Sequence, residues 1–100
     1  MWKVQLKISP FFGYLMHQSS SDWIIVEVEI GKQTSIGDLL NDLALINSEF
    51  RASVFNPETG IVGSQIDIVV NQTLLHFPSE MSTRLHNGDI IILLPVNTGG

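Results

Sequence analysis

Residues 85–100 read LHNGDIIILLPVNTGG. Asn87-Gly88 is a tight-turn signal, because both residue types tolerate the left-handed backbone that such turns use. Ile90 to Leu94 form an aliphatic run on both faces of a strand, the pattern of a central strand or of one with a partner on its outer side. Pro95 has a fixed φ and no N–H, so it is expected to end sheet pairing. Beyond it the chain is short and polar, and it ends on Gly99-Gly100. Two glycines pack nothing and cost backbone entropy to order. They are either a frayed end or a remnant of cloning, or the terminal carboxylate is itself the functional group.

The rest of the chain supplies the context. In WKVQLKI (2–8), Trp2, Val4, Leu6 and Ile8 share one face and Lys3, Gln5 and Lys7 the other, a half-buried strand ended by Pro10 and Gly13. After a polar HQSSSD loop, WIIVEVEI (23–30) alternates again, with Ile24, Val26, Val28 and Ile30 inward and Glu27 and Glu29 outward. Paired as a hairpin, the two strands set outward lysines against outward glutamates. TSIGDLLNDLALI (34–46) changes period. Ile36, Leu39, Leu40, Leu43 and Ile46 recur at helical spacing, and Ser35 with Asp38 forms a capping box. Residues 47–65 yield no clear element, although Phe50, Val54 and Phe55 call for burial and Asn56-Pro57 with Gly60 marks a turn. IDIVVN (66–71) reads as a strand with Ile66, Ile68 and Val70 inward, and TLLHF (73–77) as a further short one.

One hundred residues with 44% apolar composition make one domain with a real core. Without cysteine, disulfides, thiolate metal sites and thiol nucleophiles are excluded. The net charge is −5 and the five cations are scattered, so nucleic acid is not an expected partner. No apolar run is long enough to span a membrane and the opening residues do not read as a signal peptide, which makes the cytoplasm the expected location.

The order β-β-α-β-(β)-β closing on Gly-Gly resembles the ubiquitin-like β-grasp sulfur carriers, most closely the small subunit of molybdopterin synthase and more distantly the thiamine-pathway carrier. The resemblance rests on FFGYL (11–15), TSIGDLLNDLA (34–44), IVVNQ (68–72) and LHNGDIIILLPVNTGG (85–100). Three departures stand out: Gln72 where the family commonly has Gly after Asn, Pro95-Val96-Asn97-Thr98-Gly99-Gly100 where its tail often reads Pro-Pro-Val-Ala-Gly-Gly, and residues 47–65, which match poorly.

The resemblance implies an α+β fold, a mixed four- to five-stranded sheet with one main helix packed on one face. Residues 1–95 form this domain and 96–100 a flexible tail. It also implies that an ATP-dependent, E1-like adenylating enzyme activates Gly100, and that sulfur then replaces AMP to give a thiocarboxylate. The acceptor is the large subunit of molybdopterin synthase or another sulfur-accepting enzyme. The carrier itself binds no cofactor, since the ATP belongs to its partner. Val96, Asn97, Thr98 and Gly99 would thread the partner's channel, reaching about 17 Å with Gly100 at ~3.4 Å per residue.

If Ile66, Ile68 and Val70 are inward, Val69 with Ile91 and Leu93 is expected on the solvent face as a docking patch beside the tail, with Phe77 a second docking candidate. His17, His76 and His86 are not spaced as metal ligands, no Gly-x-Ser-x-Gly elbow occurs, and no intrinsic catalytic site is expected. The rival functions are a ubiquitin-like modifier conjugated to lysines through Gly100, a carrier for thiamine or tRNA thiolation, and a domain of interaction only.

Overall fold

The computed structural model describes residues 2–12 and 22–96. Gly13, His17, the polar loop through Ser21 and the tail residues Asn97, Thr98, Gly99 and Gly100 lie outside them. β1 (Trp2–Ile8) and β2 (Ile24–Ile30) pair antiparallel over seven positions, from Trp2↔Ile30 to Ile8↔Ile24. The alternation read from sequence holds: Val4, Leu6 and Ile8 are buried, and Lys3 reaches diagonally to Glu27 at 3.3 Å. At 51% and 62% side-chain exposure, such a pair adds at most a few tenths of a kcal/mol.

α1 (Ile36–Ile46) crosses the inner face of the sheet, and its start is over-determined. Ser35 Oγ accepts from Asp38 N at 3.1 Å and an Asp38 carboxylate oxygen accepts from Ser35 N at 3.0 Å, the reciprocal capping box. Two further first-turn donors find partners in the segment leading to the last strand. Ile36 N–H donates to Thr83 O (2.8 Å) and Gly37 N–H to Met81 O (2.9 Å). That approach requires a glycine: a Cβ at position 37 would stand 2.6 Å from Met81 Cγ and 2.9 Å from its carbonyl oxygen.

The buried stripe of α1 is Ile36, Leu39, Leu40 and Ala44, with Leu43 at its margin. Ile46, expected on that stripe, is 82% exposed. At ~100° per residue it falls about 90° from the middle of the stripe, on the helix side that faces β2.

The segment without a sequence signature folds as a second helix and a small hairpin. Asn47 ends α1 and caps α2 (Ser48–Ser53), its Oδ1 accepting from Phe50 N at 3.0 Å. β3 (Phe55–Asn56) and β4 (Ile61–Val62) come next. Asn56 makes the turn between them, accepting from Glu58 N at its side chain and from Gly60 N at its backbone, with Gly60 at φ +70°. Phe50, Val54 and Phe55 are buried as expected and close one end of the core.

β5 (Ile66–Val70), β6 (Thr73–Leu74) and β7 (Ile90–Pro95) complete a five-stranded sheet in the order β2-β1-β7-β5-β6. β7 is parallel to β1 and antiparallel to β5, so the doubly apolar strand is central and the sheet is mixed. This is the β-grasp arrangement.

The two Asn-led turns are locked together. Asp89 carboxylate oxygens accept from His86 N and from Asn71 Nδ2, each at 2.7 Å, while Asn71 Oδ1 accepts from Ile90 N at 2.9 Å. Asp89 is therefore turn chemistry, as its place after Asn87-Gly88 suggested. Asn71 and Gln72 both have positive φ, +49° and +73°, the geometry of a two-residue hairpin between Val70 and Thr73.

Candidate functional site

The register of β7 decides which residues stand beside the tail. Ile91 pairs with Val70 and Leu93 with Ile68, both inward residues of β5, and residues directly opposite in a ladder share a face. Ile91 and Leu93 are accordingly in the core, each at 0% exposure. The expectation that they join Val69 on the solvent face is corrected: β7 carries no polar residue to phase it, and the register inverts the assumed phase. Val69 does face outward, opposite Ile92, and both are half-buried. Phe77, the second docking candidate, is half-buried and packs against the core.

The outer face that results has a gradient. One row runs in register through all five strands: Ile25, Lys7, Ile92, Val69 and Leu74. Ile25 is 59% exposed and Leu74 44%. On the tail side of this row Leu94 stands opposite Asp67. On the other side the rows turn polar, with Glu27 and Gln5 beside Ile90 and then Glu29 opposite Lys3. The apolar part of the outer face is thus the part next to the end of β7. Sequence reasoning missed Ile25 and Leu74. Ile25 was findable, as the one outward position of IIVEVEI that carries no charge.

The strand's last hydrogen bond lies one residue further than Pro95 suggested. Pro95 still pairs with Ile66, and Val96 N–H donates to Gln65 O at 3.0 Å. Val96, expected as the first threading residue, is thus still bonded to the segment that leads into β5. Phe11 (68% exposed) and Trp23 (47%) lie just after β1 and just before β2, at this same end of the sheet. Among the described residues no group of three potential metal ligands occurs, and no helix is long and apolar enough to cross a membrane.

A mixed sheet clasping one helix, with its central strand leading to a Gly-Gly pair, defines a ubiquitin-like β-grasp domain. Similarity to known proteins refines this. The model of the ThiS family matches residues 11–100. Haloferax volcanii small archaeal modifier protein 1 superposes with a TM-score of 0.71 at 17% identity, covering 95% of this chain and 98% of that one. A putative molybdopterin converting factor subunit 1 from Pyrococcus furiosus gives 0.69 at 20% identity, with coverage of 95% and 98%. Mycobacterium tuberculosis CysO gives 0.66 at 19% identity, with coverage of 93% and 98%. These three share the fold. No curated protein matches the sequence. The chain belongs to the ThiS family of ubiquitin-fold sulfur carriers, whose members work with E1-like enzymes and sulfur acceptors.

Proposed function

We propose that the chain is a sulfur carrier and that the Gly100 carboxylate is its reacting group. The observation that carries this reading is a family match extending to residue 100, on a chain whose central strand leads directly to Gly99-Gly100. In the partner's site a Gly100 carboxylate oxygen attacks the α-phosphorus of ATP and pyrophosphate leaves, giving an acyl adenylate. Hydrosulfide-level sulfur then attacks the carbonyl carbon, AMP leaves with the C–O electron pair, and a thiocarboxylate remains. Glycine suits both attacks, because without Cβ the carbonyl is open and the chain fits a narrow channel. Asn97 to Gly100 supply about 14 Å of reach at ~3.4 Å per residue, enough to enter an enclosed site while the domain stays outside.

The domain docks through the row Ile25, Lys7, Ile92, Val69 and Leu74 together with Leu94, apolar contacts around one cation. A suitable partner surface is apolar with one carboxylate placed to meet Lys7. The acceptor is a pterin precursor held by the large subunit of molybdopterin synthase, in keeping with the name of the Pyrococcus furiosus neighbour. The Haloferax volcanii neighbour, named a modifier, favours a second reading in which Gly100 is joined to lysines of other proteins.

The test is incubation with the adenylating enzyme of the same organism, Mg-ATP and sulfide, and then mass spectrometry of the C-terminal peptide. The expected sequence is an AMP adduct and then an oxygen-for-sulfur exchange, both lost when Gly99 and Gly100 are deleted. A terminus inert to this mixture contradicts the proposal, and isopeptide-linked Gly-Gly on lysines without any thiocarboxylate selects the second reading.

A further inference from the structure

The two edges of the sheet differ. β6 is only two residues long, whereas β2 is seven residues long, regular in register throughout, and, among the described residues, unpaired on its outer edge. Exposed edges are ordinarily blunted by Lys, Pro, bulges or brevity, because their free N–H and C=O groups recruit other strands. IIVEVEI has no Lys, Pro or bulge and is not short; its edge charges are Glu27 and Glu29, which oppose an acidic strand and leave the edge open to a basic one.

The helix also leaves the inner side of this edge uncovered. Val26 and Val28 face inward but are only half-buried, while Leu6 and Val4, opposite them on β1, are 3% and 1% exposed. Between β2 and the near side of α1 runs an open groove of about 390 Å³, whose apolar lining includes Val28, Ile30, Leu39, Leu43 and Ile46. Asp42 is its charged residue on the helix side, Glu29 borders it on β2 with its side chain toward the outer face, and no described cation lines it. A second copy of this chain is a poor occupant. Antiparallel pairing of β2 with itself about Val28 sets Glu27 of each copy against Glu29 of the other, and directly opposed like charges destabilise a ladder.

We propose that this edge and groove bind an extended segment of another protein, aliphatic at alternate positions and flanked by Lys or Arg, which adds to β2 as a sixth strand. The backbone ladder supplies affinity, the groove takes the aliphatic side chains, and Glu29 and Asp42 meet the flanking cations. The Ile92 row faces the opposite side of the sheet, so this segment and the partner that handles the tail can be held at once. The inference does not depend on the chemistry at Gly100.

The probe is a fluorescein-labelled peptide Lys-Lys-Val-Thr-Val-Thr-Val-Lys, with Glu-Glu-Val-Thr-Val-Thr-Val-Glu as control, read by fluorescence polarisation and amide chemical-shift mapping. Saturable binding of the basic peptide is expected, with shifts concentrated in residues 24–30 and 39–46 and weakening at high salt. Ile46→Ser, at a position too exposed to matter for folding, is expected to weaken it at least about fivefold, the loss of one aliphatic contact. Equal binding of the acidic control, shifts centred on Val69 and Ile92, or no shifts at millimolar peptide overturns the proposal. So does a concentration-dependent dimer abolished by Ile46→Ser, which would make a second copy the occupant.

Discussion

The two faces of β7 are built from the same side chains and do different work. Ile91 and Leu93 are wholly buried between α1 and the neighbouring strands, while Ile90, Ile92 and Leu94 stand half-buried on the side away from the helix. Hydrophobicity alone does not separate them. Covering does: the inner row has a helix over it, and the outer row lies beside Lys7 and Val69 with no described element above it. An aliphatic row left open on a central strand, a few residues from a Gly-Gly tail, is what a carrier needs if it is to dock and present its terminus in one step. One face of the strand therefore maintains the fold, and the other is available for partners.

The largest test of this division is Leu93→Ala. With its side chain at 0% exposure, the truncation leaves a cavity and should cost about 3 kcal/mol, read as a lower urea midpoint and a melting temperature down by roughly 12–20 °C. Ile92→Glu should reverse the pattern. Lys7 stands in register beside it, so unfolding should change by under about 1 kcal/mol, while adenylation in the presence of the partner falls about tenfold from the loss of one interface anchor. Equal damage to stability from both variants would erase the distinction between the faces.

Two smaller effects calibrate the fold side. Ser35→Ala removes the cap at the start of α1 and should cost about 1 kcal/mol without altering adenylation. Gln72→Gly should raise stability by about 0.5 kcal/mol, because position 72 has φ +73°, where only glycine is free of steric penalty. Both are read by chemical denaturation.

Most of the frame was legible because the residues carried a period. The alternation of residues 2–8 and 24–30 placed β1 and β2, and Ser35 with Asp38 marked the start of α1 to the residue. The departure at Gln72 was visible as a departure only, and the structure shows that it falls at a positive-φ turn position. Two features were hidden for physical reasons. β7 is aliphatic at every position from 90 to 94, so it has no polar residue to phase it, and only its register to Ile68 and Val70 fixes which side is in. Residues 47–65 consist of a six-residue helix and two-residue strands, too short to show a period. Their ends are set by Asn47 and Asn56 side chains, whose bonds depend on where the chain turns. At the candidate site, Gly99-Gly100 was visible as a sequence feature that the family match reaches, while the outward residues of β7 were misplaced by one residue of phase.

Whether the terminus carries sulfur is decided by the intact mass of the protein purified from its own host and resolved at the C-terminal peptide. The carrier mechanism predicts a fraction in which one carboxylate oxygen of Gly100 is replaced by sulfur. An unmodified Gly100 in every fraction, from cells actively making sulfur-containing cofactors, would contradict it.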